Sequence, residues 1–351
     1  MRKRSTVAKR RGDSVVLEPV ELAARALRPG VSLVELLVVI GIVSILLTLL
    51  MPAFQYARES ARQVACKNHL KQVAIAVHGY QMEQDRYPAS FIAPRGRTVR
   101  GSWSIHARIL NYLEAGDVLD LVRLDEDWHG QVETGIPAHG FSFYICPSEP
   151  YPDARMKDGK EYVHPINYAF NMGSWLIYDP VTGQSGTGAF CVSRFTSPKL
   201  FRDGLSNTLM AAEVKTYTPY VRNTADPGPH VPASPRFVSS FSGELKLGPH
   251  RQQNTGHTVW PDGRVHHTGF TTVFTPNRRV SLRHGGILYD VDYSSWQEGR
   301  SLTRRTYAAV TARSHHAGRV HVAMMDGSVR SVADGIALEV WRALGSRTGR
   351  E

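Results

Sequence analysis

Apolar residues dominate an almost unbroken stretch at residues 31–51, VSLVELLVVIGIVSILLTLLM, in which Glu35 is the one charged position. At about 1.5 Å per residue such a helix is roughly 31 Å long, close to the hydrocarbon thickness of a bilayer. Pro52 follows directly, and a proline inside a helix removes a hydrogen bond and bends the axis. The apolar positions nevertheless continue at Phe54, Ala57, Ala61, Val64, Leu70, Val73, Val77 and Tyr80, mostly three or four residues apart. Arg58, Glu59, Arg62, Lys67 and Lys71 fall mostly between them. This spacing predicts one helix over about 33–84, bent near Pro52, with an amphipathic outer half. Tyr87-Pro88 ends it.

Helical periodicity is scarce after residue 85. Residues 104–121 predict a short helix ending near Tyr112-Leu113-Glu114 and another at 117–122. The remainder is rich in Gly, Pro and short β-branched or aromatic runs, the pattern of antiparallel strands with long loops. Residues 318–330 read as a hairpin with a two-residue Asp326-Gly327 turn. Pairing Met325 with Ser328 puts Val320, Val322, Met324 and Val329 on a face expected to pack on the N-terminal helix. His321, Ala323, Met325 and Arg330 then fall on a more exposed face. A closing helix is expected over 334–344.

The predicted fold class is therefore α+β: a long N-terminal helix, membrane-embedded in its first half, packed on an antiparallel β-sheet domain with long loops. The expected organisation is a basic leader at 1–30, the helix at 31–84 with its transmembrane part at 31–51, and a β-rich domain at 85–351 containing the hairpin 318–333. No repeat or low-complexity linker divides that domain further.

Charge sets the orientation. The 351 residues carry a net +11, of which +5 sits in residues 1–30, where eight basic residues stand against three acids. Basic residues before an apolar span stay in the cytoplasm, so the C-terminal domain is expected outside it, on a single-pass cytoplasmic-membrane protein. An ordinary secretory signal would have a shorter apolar core and a small-residue cleavage site after it, which 47–54 does not offer. The remaining +6 would attract nucleic acid or anionic lipid. No long basic run follows the leader, so a nucleic-acid partner is open but unsupported.

The candidate chemistry is sparse. Cys66, Cys146 and Cys191 form no CxxC pair or zinc-like spacing; outside the cytoplasm Cys146 and Cys191 could form a disulfide, leaving the third over. The fifteen histidines, including His266, His267, His284, His315, His316 and His321, contain no HExxH and read as scattered surface residues. Neither a GxSxG elbow nor a GxxxxGK[ST] loop occurs, and nothing brings Ser206 to His316 as nucleophile and base. No enzymatic activity, cofactor or metal is expected. Glu35 is the exception to a plain anchor, because a carboxylate in hydrocarbon costs several kcal/mol unless it reaches the interface or serves a function.

Residues 30–40, Gly-Val-Ser-Leu-Val-Glu-Leu-Leu-Val-Val-Ile, resemble the processing site of type IV prepilins and type II secretion pseudopilins. The resemblance implies that a prepilin peptidase cuts after Gly30 and methylates the new N-terminus at Val31, with Glu35 as the family's acid five residues into the mature chain. Val31 stands where the family usually has Phe, and Pro29 is an uncommon neighbour of the cut. The implied partners are that peptidase, other pilin or pseudopilin subunits, and an assembly platform with its secretion ATPase. Further segments resemble a prepilin-like family abundant in planctomycetes, defined by a domain of unknown function and a C-terminal His-x9-Asp-Gly motif. They include Cys66-Lys67-Asn68-His69-Leu70-Lys71-Gln72, Cys146-Pro147-Ser148-Glu149-Pro150, Asn167-Tyr168 and Asp203-Gly204-Leu205-Ser206-Asn207-Thr208. His316, Asp326 and Gly327 fit the C-terminal motif. They read either as metal ligands or a catalytic pair or, more simply, as a loop-fixing histidine and a turn. Some pseudopilins hold calcium in a loop of the soluble domain, for which Asp203, Asp290 and Asp292 could offer oxygens. The implied function is a membrane-anchored filament subunit; the alternative is a membrane-tethered binding module for glycan, DNA or cargo protein that uses only the pilin-type signal.

Overall fold

The computed structural model describes residues 32–113, 115–249 and 254–349. Gly30, Val31 and the leader lie outside the described residues. The chain divides into two compact units, one ending at Gln55 and one beginning at Tyr56.

The described part of the first unit is helical. Helix α1 spans Leu33–Gln84 and contains Pro52. None of its side chains from 33 to 51 is buried, and this stretch is long and apolar enough to cross a membrane. In the second unit α1 turns amphipathic. Its buried residues are Cys66, Leu70, Val73, Ala74, Ala76 and Val77, one face at helical spacing. That face starts later than the apolar spacing predicts, since Ala57, Ala61 and Val64 are exposed.

The rest of the second unit is strands and loops. Strands β1 (Arg155–Lys157) and β2 (Lys160–Val163) form a two-stranded ladder. Then come β3 (Tyr168–Asn171), β4 (Leu176–Tyr178), β5 (Leu209–Glu213), β6 (Tyr220–Arg222), β7 (Glu244–Lys246) and β8 (Gly269–Phe270). They are followed by β9 (Ser281–His284), β10 (Ile287–Asp290), β11 (Asp292–Ser294), β12 (Thr306–Ala309), β13 (Arg319–Met324) and β14 (Val329–Ala333). One five-stranded sheet has the order β14-β13-β5-β3-β8 and the other β4-β12-β11-β6-β7, while β9 and β10 pair as a second two-stranded ladder. The architecture is α+β, as the pattern predicts. The sheets are mixed rather than purely antiparallel: β3 with β8 and β11 with β6 run parallel.

The largest core contains the buried face of α1 and the first sheet, through Leu70, Val73, Val77, Phe170, Leu209, Val320 and Val322. Burying a side chain of that size contributes about 1.5–3 kcal/mol. A second core gathers Trp175, Tyr293 and Tyr307 on the other sheet. The predicted short helices appear as single turns at Ile105–Arg108, capped by Ser104, and at Gly116–Leu119. The closing helix is Leu338–Gly345, with Trp341 fully buried.

The C-terminal hairpin is present but shifted by one residue from the predicted pairing. Ala323 pairs with Val329, Met324 N donates to Ser328 O at 2.8 Å, and Gly327 N donates to Met324 O at 2.9 Å. The turn therefore holds three residues, Met325 to Gly327, and only Gly327 has positive φ (+80°). This is a type I turn closed by a left-handed glycine, so Asp326 is spared the positive φ that a two-residue turn would impose. The two-face reading of β13 is also corrected. Residues 320–324 are all buried, as is Met325: β13 is an inner strand between β14 and β5, and both of its faces are covered.

Candidate assembly segment and buried histidine centre

At the start of α1, Ser32 N donates to Glu35 Oε2 at 2.9 Å and Glu35 N donates to Ser32 Oγ at 3.1 Å. This reciprocal pair is a capping box, and it satisfies two helix-terminal N–H groups that have no intrahelical partner. The Ser-x-x-Glu spacing was legible in the sequence, where Glu35 draws attention only as an intramembrane acid. One carboxylate oxygen is spent on the cap. The other has no partner among the described residues.

His316 sits just before β13 and is almost fully buried. Its Nδ1 lies 2.6 Å from Glu59 Oε1 of α1, and its Nε2 lies 3.4 Å from Glu213 Oε1 at the end of β5. Burial opposes protonation, but the two carboxylates outweigh it and hold the imidazole above its ordinary pKa. Arg62 donates to Glu59 Oε2 at 2.6 Å and to Ser148 Oγ at 3.1 Å, which ties the same helical turn to the loop after Cys146. His315 faces the other way, with Nε2 at 3.2 Å from Glu149 Oε2. Asn167 Nδ2 donates to that same oxygen at 2.6 Å.

A disulfide joins Cys66 of α1 to Cys146, with Cα atoms 5.3 Å apart. The bridge takes Cys146 away from the possible pairing with Cys191. Cys191 is the free, buried thiol. The two sulfurs, Glu213 and His316 bring four ligand-type atoms within 4.8 Å of one another. In the disulfide the sulfurs are not thiolates, so only the imidazole and the carboxylate keep donor character there. As it stands, the centre clamps helix, loop and sheet.

The motif residues Asp326 and Gly327 do not join His316; they make the hairpin turn. The Asp326 carboxylate accepts from Ser328 N at 2.8 Å, and Gly327 O accepts from Lys71 Nζ of α1 at 2.8 Å. Asp290 and Asp292 are both spent on the buried Arg313. Asp203 lies against Gly349 instead. Ser206 is exposed, whereas His316 is enclosed by carboxylates. Histidines were the poorest expectation: His106, His257, His266, His267, His316 and His321 are buried rather than scattered over the surface, and of the six read as surface residues His284 and His315 are exposed.

A family model described as "Protein of unknown function (DUF1559)" matches residues 55–339, and the chain belongs to that family. Over 64 residues the chain is 34% identical to "Competence protein ComGC" of Halalkalibacterium halodurans, covering 18% of this chain and 63% of that protein. The match thus spans less than two thirds of the relative's length. No solved structure matches the chain.

Proposed function

We propose that this member of the DUF1559 family is a non-catalytic, prepilin-like structural subunit, anchored in the cytoplasmic membrane through residues 31–51. In this reading a prepilin peptidase cuts after Gly30 and methylates Val31. The mature chain, with its β-rich domain outside the cytoplasm, then joins a type IV pilus or type II secretion-like filament. Other pilin-type subunits, an assembly platform and its ATPase are the partners. The observation that carries the reading is the change of character along α1: wholly exposed and apolar over 33–51, then one-faced and buried from Cys66. The partial similarity to a competence protein supports it.

Glu35 has a task in such an assembly. Cleavage would free an amine at Val31, and the uncapped oxygen of Glu35 can accept it from a neighbouring subunit. A carboxylate left unpaired among packed apolar helices is costly, so the pair would favour one register. The test is recovery of the chain in filaments sheared from cells. Glu35→Ala should stay in the membrane and drop out of the sheared fraction. Recovery equal to the unaltered chain, or a chain never found with filaments, would overturn the reading.

A membrane-tethered binding module for glycan, DNA or cargo protein shares the anchor but requires a ligand site in the domain. A cationic cavity around Arg155 is the observation in its favour.

A further inference from the structure

A cavity of about 150 Å³ opens beside β1, β2 and β6, and five arginines line it against one carboxylate, Asp262. Two of the five are already neutralised. Arg264 donates to Asp262 Oδ2 at 2.8 Å and spends its other nitrogens on the backbone oxygens of Glu298 and Arg100, each at 2.9 Å. Arg222 grips Glu244 with two bonds of 2.8 and 2.9 Å.

The other three have no ion pair of their own among the described residues; Asp262 acts on Arg155 and Arg300 only at longer range. Arg155 is buried in the floor. Its hydrogen-bond partner there is the side-chain oxygen of Asn254, and the face of Tyr162 lies 5.2 Å away. Arg100 and Arg300 stand exposed at the rim, with no side-chain partner among the described residues.

Burying a guanidinium without an ion pair of its own is expensive. A ligand with several acceptor oxygens and negative charge would answer that cost.

We propose that this cavity is an oxyanion site, in which Arg155 grips a sulfate, phosphate or carboxylate group while Arg100 and Arg300 close over it. The size supports the class. Drug-sized ligands need roughly 300 Å³ or more, so this hollow takes a small ion or the charged group of one sugar and not a polymer segment. Nothing in the site depends on filament assembly, and its failure would leave the anchor and processing readings untouched.

The test is calorimetric titration of the detergent-solubilised full chain with sodium sulfate and sodium phosphate, against chloride at matched ionic strength. The unaltered chain should bind one sulfate or phosphate. Arg300→Gln, at the exposed rim, should weaken binding about tenfold or more, as loss of a charge-assisted bond does. Arg155→Gln should abolish binding, yet its unfolding midpoint in chloride should be no lower than that of the unaltered chain, because an uncompensated buried charge is gone. Glucuronate or a monosulfated sugar that displaces sulfate would place the oxyanion on a glycan; sulfate binding without such competition would assign the free ion. No binding up to about 10 mM, a weaker affinity than any useful site shows, would overturn the proposal. So would equal affinity in Arg300→Gln, or binding of DNA that Arg155→Gln leaves unchanged.

Discussion

The Nδ1 of His316 stands 2.6 Å from Glu59 Oε1, a contact that joins the approach to β13 to a turn of α1 257 positions earlier. Glu213 closes the other side of the ring at 3.4 Å. Removing the imidazole leaves a buried carboxylate facing an empty space, and breaking a buried pair costs about 3–5 kcal/mol. Glu59 is one-third exposed, so water offsets part of that loss. His316→Ala should therefore lower stability by about 2–3 kcal/mol, read from denaturant unfolding of the full chain in detergent. A change below about 0.5 kcal/mol, typical of surface substitutions, would show that the clamp does not form.

The disulfide can be counted directly. Alkylation of the denatured, unreduced chain should label one cysteine, Cys191, and labelling after reduction should reach all three. Label found on Cys66 instead would restore the Cys146–Cys191 pairing. The bridge closes a separation of 80 residues, so replacing both cysteines by serine should cost about 2–5 kcal/mol.

The hairpin turn separates two meanings of the His-x9-Asp-Gly spacing. Gly327 has φ +80°, a conformation that costs an L-residue about 1–2 kcal/mol. Gly327→Ala should lose about that much stability. Asp326→Ala should lose about 1 kcal/mol with its bond to Ser328 N. If Asp326 instead served a ligand, Asp326→Ala would leave stability unchanged.

Glu298 gives the domain a pH signature. Burial raises its carboxyl pKa to about 7; Oε1 accepts from Val265 N at 2.9 Å, while Oε2 has no hydrogen-bond partner among the described residues. The fold favours the protonated form, so the penalty is absent below the unfolded pKa near 4.3 and grows as pH rises toward 7. Glu298→Gln should therefore gain on the unaltered chain between pH 5 and pH 8, by up to roughly 3 kcal/mol. Parallel stability curves for the two proteins would contradict the shift.

The sequence made α1 plain, because an apolar run and a three-or-four spacing are local signals. The C-terminal hairpin was equally visible through Asp326-Gly327, but its register and buried faces were not. Asp-Gly suits both a two-residue turn and the three-residue turn found, and burial of His321 depends on β5, more than a hundred residues away. The Cys66–Cys146 bridge and the contacts of His316 were hidden for the same reason. Arg155 and Arg300 are ordinary basic residues until folding places them at one hollow with the buried His266 and His267. Gly30 and Val31 carry the processing reading on sequence alone.

The central claim is entry into the prepilin pathway, and intact-mass and N-terminal analysis of the native membrane protein, beside Gly30→Ala, tests it most directly. The account predicts a mature chain beginning at methylated Val31, absent from the variant. A chain still beginning near Met1 in both would contradict it and leave a plain signal-anchored protein.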